Sequence, residues 1–366
     1  MAAGLRYTAA LLAVLAIALW ARADGRQRAQ APLAVLQGPA WAPPGSTVRF
    51  SGRASFRPGG RIVAYRFELG ETVFEGSRPE ASFSGLRPGE HTVRLTVTAE
   101  DGQQASVRQP LFVEPLERHL RRKLEARARR GVVLFMCERG PLDTARAIED
   151  LGEAILGPLL RAAYAEVVVV RGTEATPEDF FAAIRSLAAR REAVDLILLA
   201  HGSPDRLWLR EGRPIRGADI VEQLEGRGGE RLRMVYSSLC YGASLNQAWR
   251  KAGARAVAGA VDVKIPLDLP AFLLGWLAGG EYASVMAQAY AANLRLHALR
   301  EQLADRLRPG YASLRPVLEE AGPGRAARFY LDAFFEPEAW QGWKSYPVIE
   351  GGGVTIDTFP APPGDS

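Results

Sequence analysis

Cysteine is scarce in this chain: Cys137 and Cys240 are the only two among 366 residues. That excludes a disulfide-framework domain and a cysteine-rich zinc module, both of which need several cysteines at close spacing. Histidine is equally sparse, and His91, His119, His201 and His297 are too dispersed in sequence to suggest a metal cluster. No metal and no cofactor are therefore expected. Beyond the first two dozen residues there is no long apolar run. The next best, Leu267 to Ala278, is interrupted by Pro270 and is shorter than the ~20 residues a membrane-spanning helix needs. A marked excess of one charge is missing too: 46 basic residues face 41 acidic ones. A nucleic-acid partner, which calls for a clustered basic face, is not expected. No glycine-rich phosphate loop opens a helix, since Gly351-Gly-Gly353 follows no helix-opening strand. The Gly-x-Ser-x-Gly elbow of α/β-hydrolases is absent from the strand ends.

The N-terminus has the layout of an export signal. Arg6 precedes an uncharged run from Tyr7 to Ala21, and Ala21-Arg22-Ala23 supplies small residues at cleavage spacing. Residues 1–23 are thus expected to be a signal peptide, and the mature protein to be periplasmic, secreted or at the cell surface. The alternative is an uncleaved anchor, which would be the one contact with a membrane. Removing 1–23 leaves 44 basic residues against the 41 acidic ones, a net charge of +3. The remaining length and the 48% hydrophobic content suit two folded domains.

From 37 to 115 the pattern is all-β. Val48–Phe50, Arg61–Leu69, Thr72–Phe74 and His91–Thr98 alternate apolar and polar residues, as strands with one buried face do. Pro43-Pro44-Gly45, Pro58-Gly59-Gly60, Arg87-Pro88-Gly89 and Asp101-Gly102 supply turn chemistry between them. The spacing predicts a small sandwich. Val48 to Ser55, Gly59 to Phe67, and Gly89 to Thr98 with Asp101-Gly102 resemble a polycystic-kidney-disease-type Ig-like domain. Phe67 stands where that family usually has tryptophan, and Glu68-Leu69-Gly70 is a reduced form of its acidic turn. The resemblance implies a spacer or adhesive module.

Residues 116–130 read as a basic helical linker, with Arg118, Arg121, Arg122, Lys123, Arg127, Arg129 and Arg130 on a solvated helix. From 131 to 350 strand and helix alternate. Gly131–Met136, Glu166–Val170, Val194–Ala200, Leu232–Leu239 and Ala254–Val261 are short apolar strands. Between them lie helices carrying Ile148, Leu151 and Ile155, then Phe180, Ile184 and Leu187 after a Thr176-Pro177 start, then 217–224 and 244–251. Residues 206–215 suggest a surface hairpin. An open, mainly parallel α/β sheet with flanking helices follows. Residues 262–345 read as helices, with Phe334, Phe335, Trp340 and Trp343 closing a core. Residues 351–366 form a tail in which Val354 to Phe359 is expected to add a last strand.

Open parallel sheets place ligands at the carboxyl ends of their strands. Two such ends carry reactive groups: His201-Gly202 after the third strand and Cys240-Tyr-Gly242 after the fourth, 39 residues apart. Consecutive βαβ strands tend to be neighbours, which would bring imidazole and thiol to one edge. An imidazole or a helix N-terminus at Ser244 would favour the thiolate. Free N–H groups there, with that of Gly202, would suit an oxyanion. These residues resemble clan CD cysteine peptidases, the caspase-like group. The resemblance implies a caspase-like fold, Cys240 as nucleophile, His201 as acid/base, Gly202 as oxyanion donor, and a protein or peptide substrate. Gly242 and Ser238 are expected beside the substrate. Asp205 and Asp262 stand at the rim of the same edge, where they read either as solvated surface carboxylates, the more frequent case, or as the lining of a pocket for a basic side chain. The acidic residue that related enzymes keep beside the cysteine is replaced by Ser237-Ser238-Leu239, so no cleavage preference is read.

Two other readings remain open. A Cys137–Cys240 disulfide would remove the nucleophile. If the first strand lies beside the third, however, two strand spacings of about 9.6 Å separate the cysteines, beyond the ~7 Å that a bridge spans. Alternatively, the domain is a non-catalytic scaffold that binds partners through its Ig-like part. Oligomeric state is not legible.

Overall fold

The computed structural model describes residues 31–57, 60–139, 142–264, 268–320 and 345–359. The export segment 1–23, the four aromatics Phe334, Phe335, Trp340 and Trp343, and residues 360–366 lie outside them. Seven strands build the N-terminal unit: β1 (Trp41–Ala42), β2 (Val48–Ser51), β3 (Ile62–Leu69), β4 (Thr72–Gly76), β5 (Glu80–Phe83), β6 (Gly89–Ala99) and β7 (Gln104–Val113). One sheet runs β1-β7-β6-β3-β4 and the other pairs β2 with β5. Every second residue of β6 from Val93 to Ala99 is buried, so period-two alternation fills a core around Phe50, Phe67, Leu95 and Leu111. The all-β expectation holds. β1, β5 and β7 lie outside the alternating stretches of the sequence, and β7 carries Pro110 in mid-strand, opposite Thr92.

The α/β unit follows the linker helix α1 (Leu116–Ala128). Its elements are β8 (Arg130–Cys137), α2 (Leu142–Ala163), β9 (Glu166–Arg171), α3 (Pro177–Arg190), β10 (Ala193–Ser203), β11 (Arg206–Trp208), β12 (Ile215–Arg216), α4 (Gly217–Leu224), β13 (Leu232–Ser237), α5 (Asn246–Lys251), β14 (Ala256–Ala260), α6 (Leu269–Leu277), α7 (Tyr282–Glu320) and β15 (Pro347–Glu350). Strand pairing gives the order β9-β8-β10-β13-β14-β15, parallel except for β15. The β11–β12 hairpin grows from the end of β10.

Successive residues of β8 enter opposite cores, as in a sheet covered on both faces. Val133, Phe135 and Cys137 pack with Phe180, Ile184 and Leu187 of α3, Ile220 of α4 and Trp249 of α5. Val132, Leu134 and Met136 pack with Leu156 and Leu160 of α2, Phe272 and Trp276 of α6, and Tyr282 and Val285 of α7. Thr176 caps α3 by accepting from the Asp179 N–H, with Pro177 at its first position, as expected. On α2 the expected stripe exists but faces outward: Ile148, Leu151 and Ile155 are 38%, 60% and 57% exposed.

The C-terminal segment also departs from expectation. The last strand is Pro347–Glu350, whereas Val354 to Phe359 forms no strand. Val354 and Ile356 are instead buried in the α6–α7 core. Arg233 is fully buried, donates to both carboxylate oxygens of Asp195 at 2.9 and 2.7 Å, and also donates to the carbonyls of Ile356 and Thr358. Tyr164 and Trp276 donate to the same Asp195. The sandwich touches α7 through the Leu36 N–H, which donates to Ser284 Oγ at 2.7 Å, and through Phe56 stacked on Tyr290.

Candidate active site

β10 and β13 are neighbours, paired from Val194–Leu232 to Leu198–Ser237. Both run out at the same edge, β10 into His201 and Gly202, β13 into Leu239 and Cys240. The closeness is measurable at Gly202: a Cβ there would lie 2.4 Å from the Cys240 carbonyl oxygen. Any side chain at 202 would push the cysteine segment away, so glycine is required by packing.

His201 lies within the extension of β10, paired with Trp208 of β11. Its Nε2 is 3.0 Å from Glu138 Oε1. Glu138 directly follows β8, whose Cys137 is in register with Ala200. Three adjacent strands, β8, β10 and β13, therefore deliver Glu138, His201 and Cys240 in a row. Glu138 was missed at the sequence level because a lone acidic residue after a strand carries no signal. Only the β8–β10 register shows that it stands beside His201.

Cys240 and Cys137 are both free thiols, which removes the disulfide. Cys137 faces the α3 side of the sheet, one strand beyond β10. Burial first, and the Glu149 carboxylate second, push its thiol up to about 12. Burial also raises Cys240, with the Asp262 carboxylate acting in the same direction and the Lys264 N–H opposing it. The Lys264 N–H points at Cys240 Sγ from 3.5 Å, and the thiol faces the Lys264 carbonyl at 3.8 Å. Thiol and imidazole are neighbours at this edge but are not hydrogen-bonded to each other.

The remaining expected positions divide differently. Tyr241, directly after the thiol, sits at φ 56°, a left-handed conformation rare for a side chain of its size. Its N–H donates to the Asp262 carbonyl at 3.0 Å. Gly242 is not open to a substrate: its N–H donates to the Leu239 carbonyl and its Cα face packs on Gly259 of β14. The predicted helix start at Ser244 is a single 3-10 turn, Gly242–Leu245, ahead of the six-residue α5. The Ser244 N–H donates to the Tyr241 carbonyl, and its hydroxyl accepts from the Asp205 N–H. The N–H group expected to be free at Ser244 is thus already committed. Ser238 is buried, with its N–H on the Leu198 carbonyl. Asp205 holds the start of α4, its Oδ1 accepting from the Gly217 N–H at 3.2 Å, and Asp262 accepts from the Val263 N–H. These carboxylates serve backbone N–H groups rather than a pocket for a basic side chain. Arg139 and Arg206 instead flank the Trp208 ring beside His201, at 4.9 and 5.9 Å. Among the described residues no group of three His, Cys, Asp or Glu side chains is placed to hold a metal ion.

Residues 29–113 match the family described as the PKD domain. Two solved structures similar to this stretch come from Vibrio. The PKD1 domain of Vibrio anguillarum Epp is 29% identical, covering 23% of this chain and 95% of that one, with a TM-score of 0.20. The PKD1 domain of the Vibrio cholerae metalloprotease PrtV is 24% identical, covering 23% and 99%, again with a TM-score of 0.20. A structure of carbohydrate-binding modules from the β-sandwich superfamily is 25% identical over 24% of this chain and 36% of its own length, with a TM-score of 0.23. No curated protein matches the chain. The N-terminal sandwich is a PKD domain.

Proposed function

We propose that residues 131–350 form a caspase-like cysteine endopeptidase within an exported protein, and that the PKD domain holds substrate or acts as a spacer. PKD domains are typical of extracellular and secreted proteins, which supports the export part of this reading. The observation that carries the catalytic part is the delivery of His201 and Cys240 by adjacent strands to one sheet edge, with Gly202 against the Cys240 carbonyl. The sheet order, with the first strand beside the third, is the one the caspase-like resemblance implies.

The proposed steps use groups already at this edge. With Nε2 against Glu138, Nδ1 of His201 is the nitrogen left for the thiol proton. The step requires a change of Cys240 rotamer that takes Sγ from Lys264 to the ring; unliganded sites commonly leave such bonds unmade. The thiolate attacks the scissile carbonyl carbon, and the C=O pair moves to oxygen, where the Gly202 N–H is the assigned donor. Collapse breaks the C–N bond as His201 returns its proton to the leaving amine. Water, deprotonated by His201, then hydrolyses the thioester and restores the thiol. Glu138 stabilises the imidazolium and holds the ring's orientation.

One observation favours a second reading. The Cys240 thiol is pushed up rather than down, which suits an inert domain that only presents surfaces to partners, with the PKD domain as the binding part. Alkylation separates the two. Treating the full chain with iodoacetamide across pH 6 to 9 and mapping both thiols should show Cys240 reacting faster than a peptide thiol at pH 7, with the advantage lost in His201→Ala. A Cys240 rate equal to that of a peptide thiol and unchanged by His201→Ala would remove the enzymatic reading.

A further inference from the structure

Next to Cys240 the sheet edge carries a buried ion pair that the proposed steps do not use. Lys264 lies just beyond β14, and Asp268 caps the start of α6. Lys264 Nζ is 2.9 Å from Asp268 Oδ2, and the two side chains are only 6% and 5% exposed. The carboxylate has a second partner, because the Tyr236 hydroxyl donates to Asp268 Oδ1 at 2.8 Å. The ammonium also lies over the Tyr236 ring, 4.9 Å from its centroid. Tyr236, near the end of β13, is fully buried and stacks on Phe272 of α6 with centroids 4.4 Å apart. A lysine beyond a strand end ordinarily keeps its ammonium in water. Here the side chain turns inward onto a carboxylate, an aromatic ring and the first turn of a helix, so it anchors its own main chain.

That main chain is what touches the thiol. The Lys264 N–H points at Cys240 Sγ from 3.5 Å, and the thiol faces the Lys264 carbonyl at 3.8 Å. Two residues earlier the loop is tied as well: the Asp262 carbonyl accepts from the Tyr241 N–H, and the Asp262 N–H donates to Ser345 Oγ. The stretch is thus pinned at Asp262 by its backbone and at Lys264 by the ion pair, and Sγ is engaged with it and not with His201. We propose that Lys264 and Asp268 are positioning residues for Cys240, their buried pair holding the Lys264 main chain against Sγ until its release frees the thiol to turn to His201. The consequence for turnover rests on the peptidase reading; the hold on the thiol does not.

The test is iodoacetamide alkylation of both thiols in the full chain at pH 8. Asp268→Asn keeps an acceptor for the Tyr236 hydroxyl but leaves the ammonium without its counter-charge, so Lys264 should turn out to solvent and draw its main chain from Sγ. Cys240 should then react about fivefold faster than in wild type, as expected for one lost hydrogen bond. Adding Lys264→Met fills the same space with no charge to strand, and should bring the rate back to the wild-type value. Cys137, buried and free, is the internal control and should stay unmodified throughout. Three results overturn the proposal: a Cys240 rate that Asp268→Asn leaves unchanged, a raised rate that the double variant does not restore, or Cys137 labelling that rises in parallel and so reports general loosening. Repeating the series with His201→Ala separates this from the dyad. A fivefold rise on Asp268→Asn, together with indifference to His201→Ala, keeps the hold on the thiol and removes the peptidase reading. A rate that falls with His201→Ala but ignores Asp268→Asn does the reverse.

Discussion

Replacing Asp195 by asparagine would leave the Arg233 guanidinium fully buried without its counter-charge. Both side chains are 0% exposed, so water cannot compensate. Arg233 also carries the carbonyls of Ile356 and Thr358, and Tyr164 and Trp276 both donate to Asp195. Breaking one member of such a buried pair costs about 3–5 kcal/mol, a large share of the ~5–15 kcal/mol that keeps a domain folded. Urea unfolding followed by tryptophan fluorescence reads this directly, since Trp276 contacts the carboxylate. The partner experiment is Asp195→Leu with Arg233→Met, which removes both charges and preserves apolar volume. The desolvation of two charges is then avoided, but the Tyr164 hydroxyl, the Trp276 indole N–H and the carbonyls of Ile356 and Thr358 lose their partners. The double variant should therefore lose stability, though less than the two single variants together. Strong non-additivity is the signature. If Asp195→Asn costs less than about 0.5 kcal/mol, or the two single losses simply add in the double variant, the pair does not hold the C-terminal segment as described.

Other consequences follow from single positions. Glu138→Gln keeps the shape beside His201 but removes the charge, and should lower kcat/KM by about 10- to 100-fold with little change in thermal midpoint. Gly202→Ala places a Cβ against the Cys240 carbonyl and should abolish turnover and Cys240 labelling together, with circular dichroism checking the fold. Cys137, held up to about 12, should stay unmodified by iodoacetamide at pH 8 while Cys240 reacts. Burial raises the Glu281 carboxyl from 4.5 to about 7 despite backbone N–H groups of Ser284 and Gly353. Between those values the unfolded chain has already lost the proton that the folded one keeps. This contribution is therefore complete below about pH 4.5 and lost as pH rises through about 7, at most on the order of 3 kcal/mol. Glu281→Gln should flatten that part of the stability–pH curve relative to wild type.

What the sequence made legible was set by local pattern. The period-two alternation of β6 and the apolar runs of β8, β10 and β13 are single-strand properties, and so is the capped start of α3. The shared edge of His201 and Cys240 followed from connection rules. The place of the first strand beside the third came only with the caspase-like resemblance, since those rules alone would set β9 beside β10. Properties of pairing were not legible. Glu138 enters the site only through the β8–β10 register. The carboxylates of Asp205 and Asp262 look available in sequence, yet the fold turns them onto backbone N–H groups. The stripe on α2 has the spacing of a core helix, but the residues that bury it, Leu156 and Leu160, lie on its other side. Val354 to Phe359 has strand composition, but Arg130 and Arg233 capture its carbonyls, and the sheet edge goes to Pro347–Glu350.

The most direct test of the central claim is peptide-bond cleavage itself. Wild type, Cys240→Ala and His201→Ala should each be incubated with a denatured protein mixture, and the new N-termini sequenced. The account predicts new termini with the wild type and none above background with either variant. Termini produced equally by all three proteins, or by none of them in the presence of a folded and alkylatable Cys240, would contradict it.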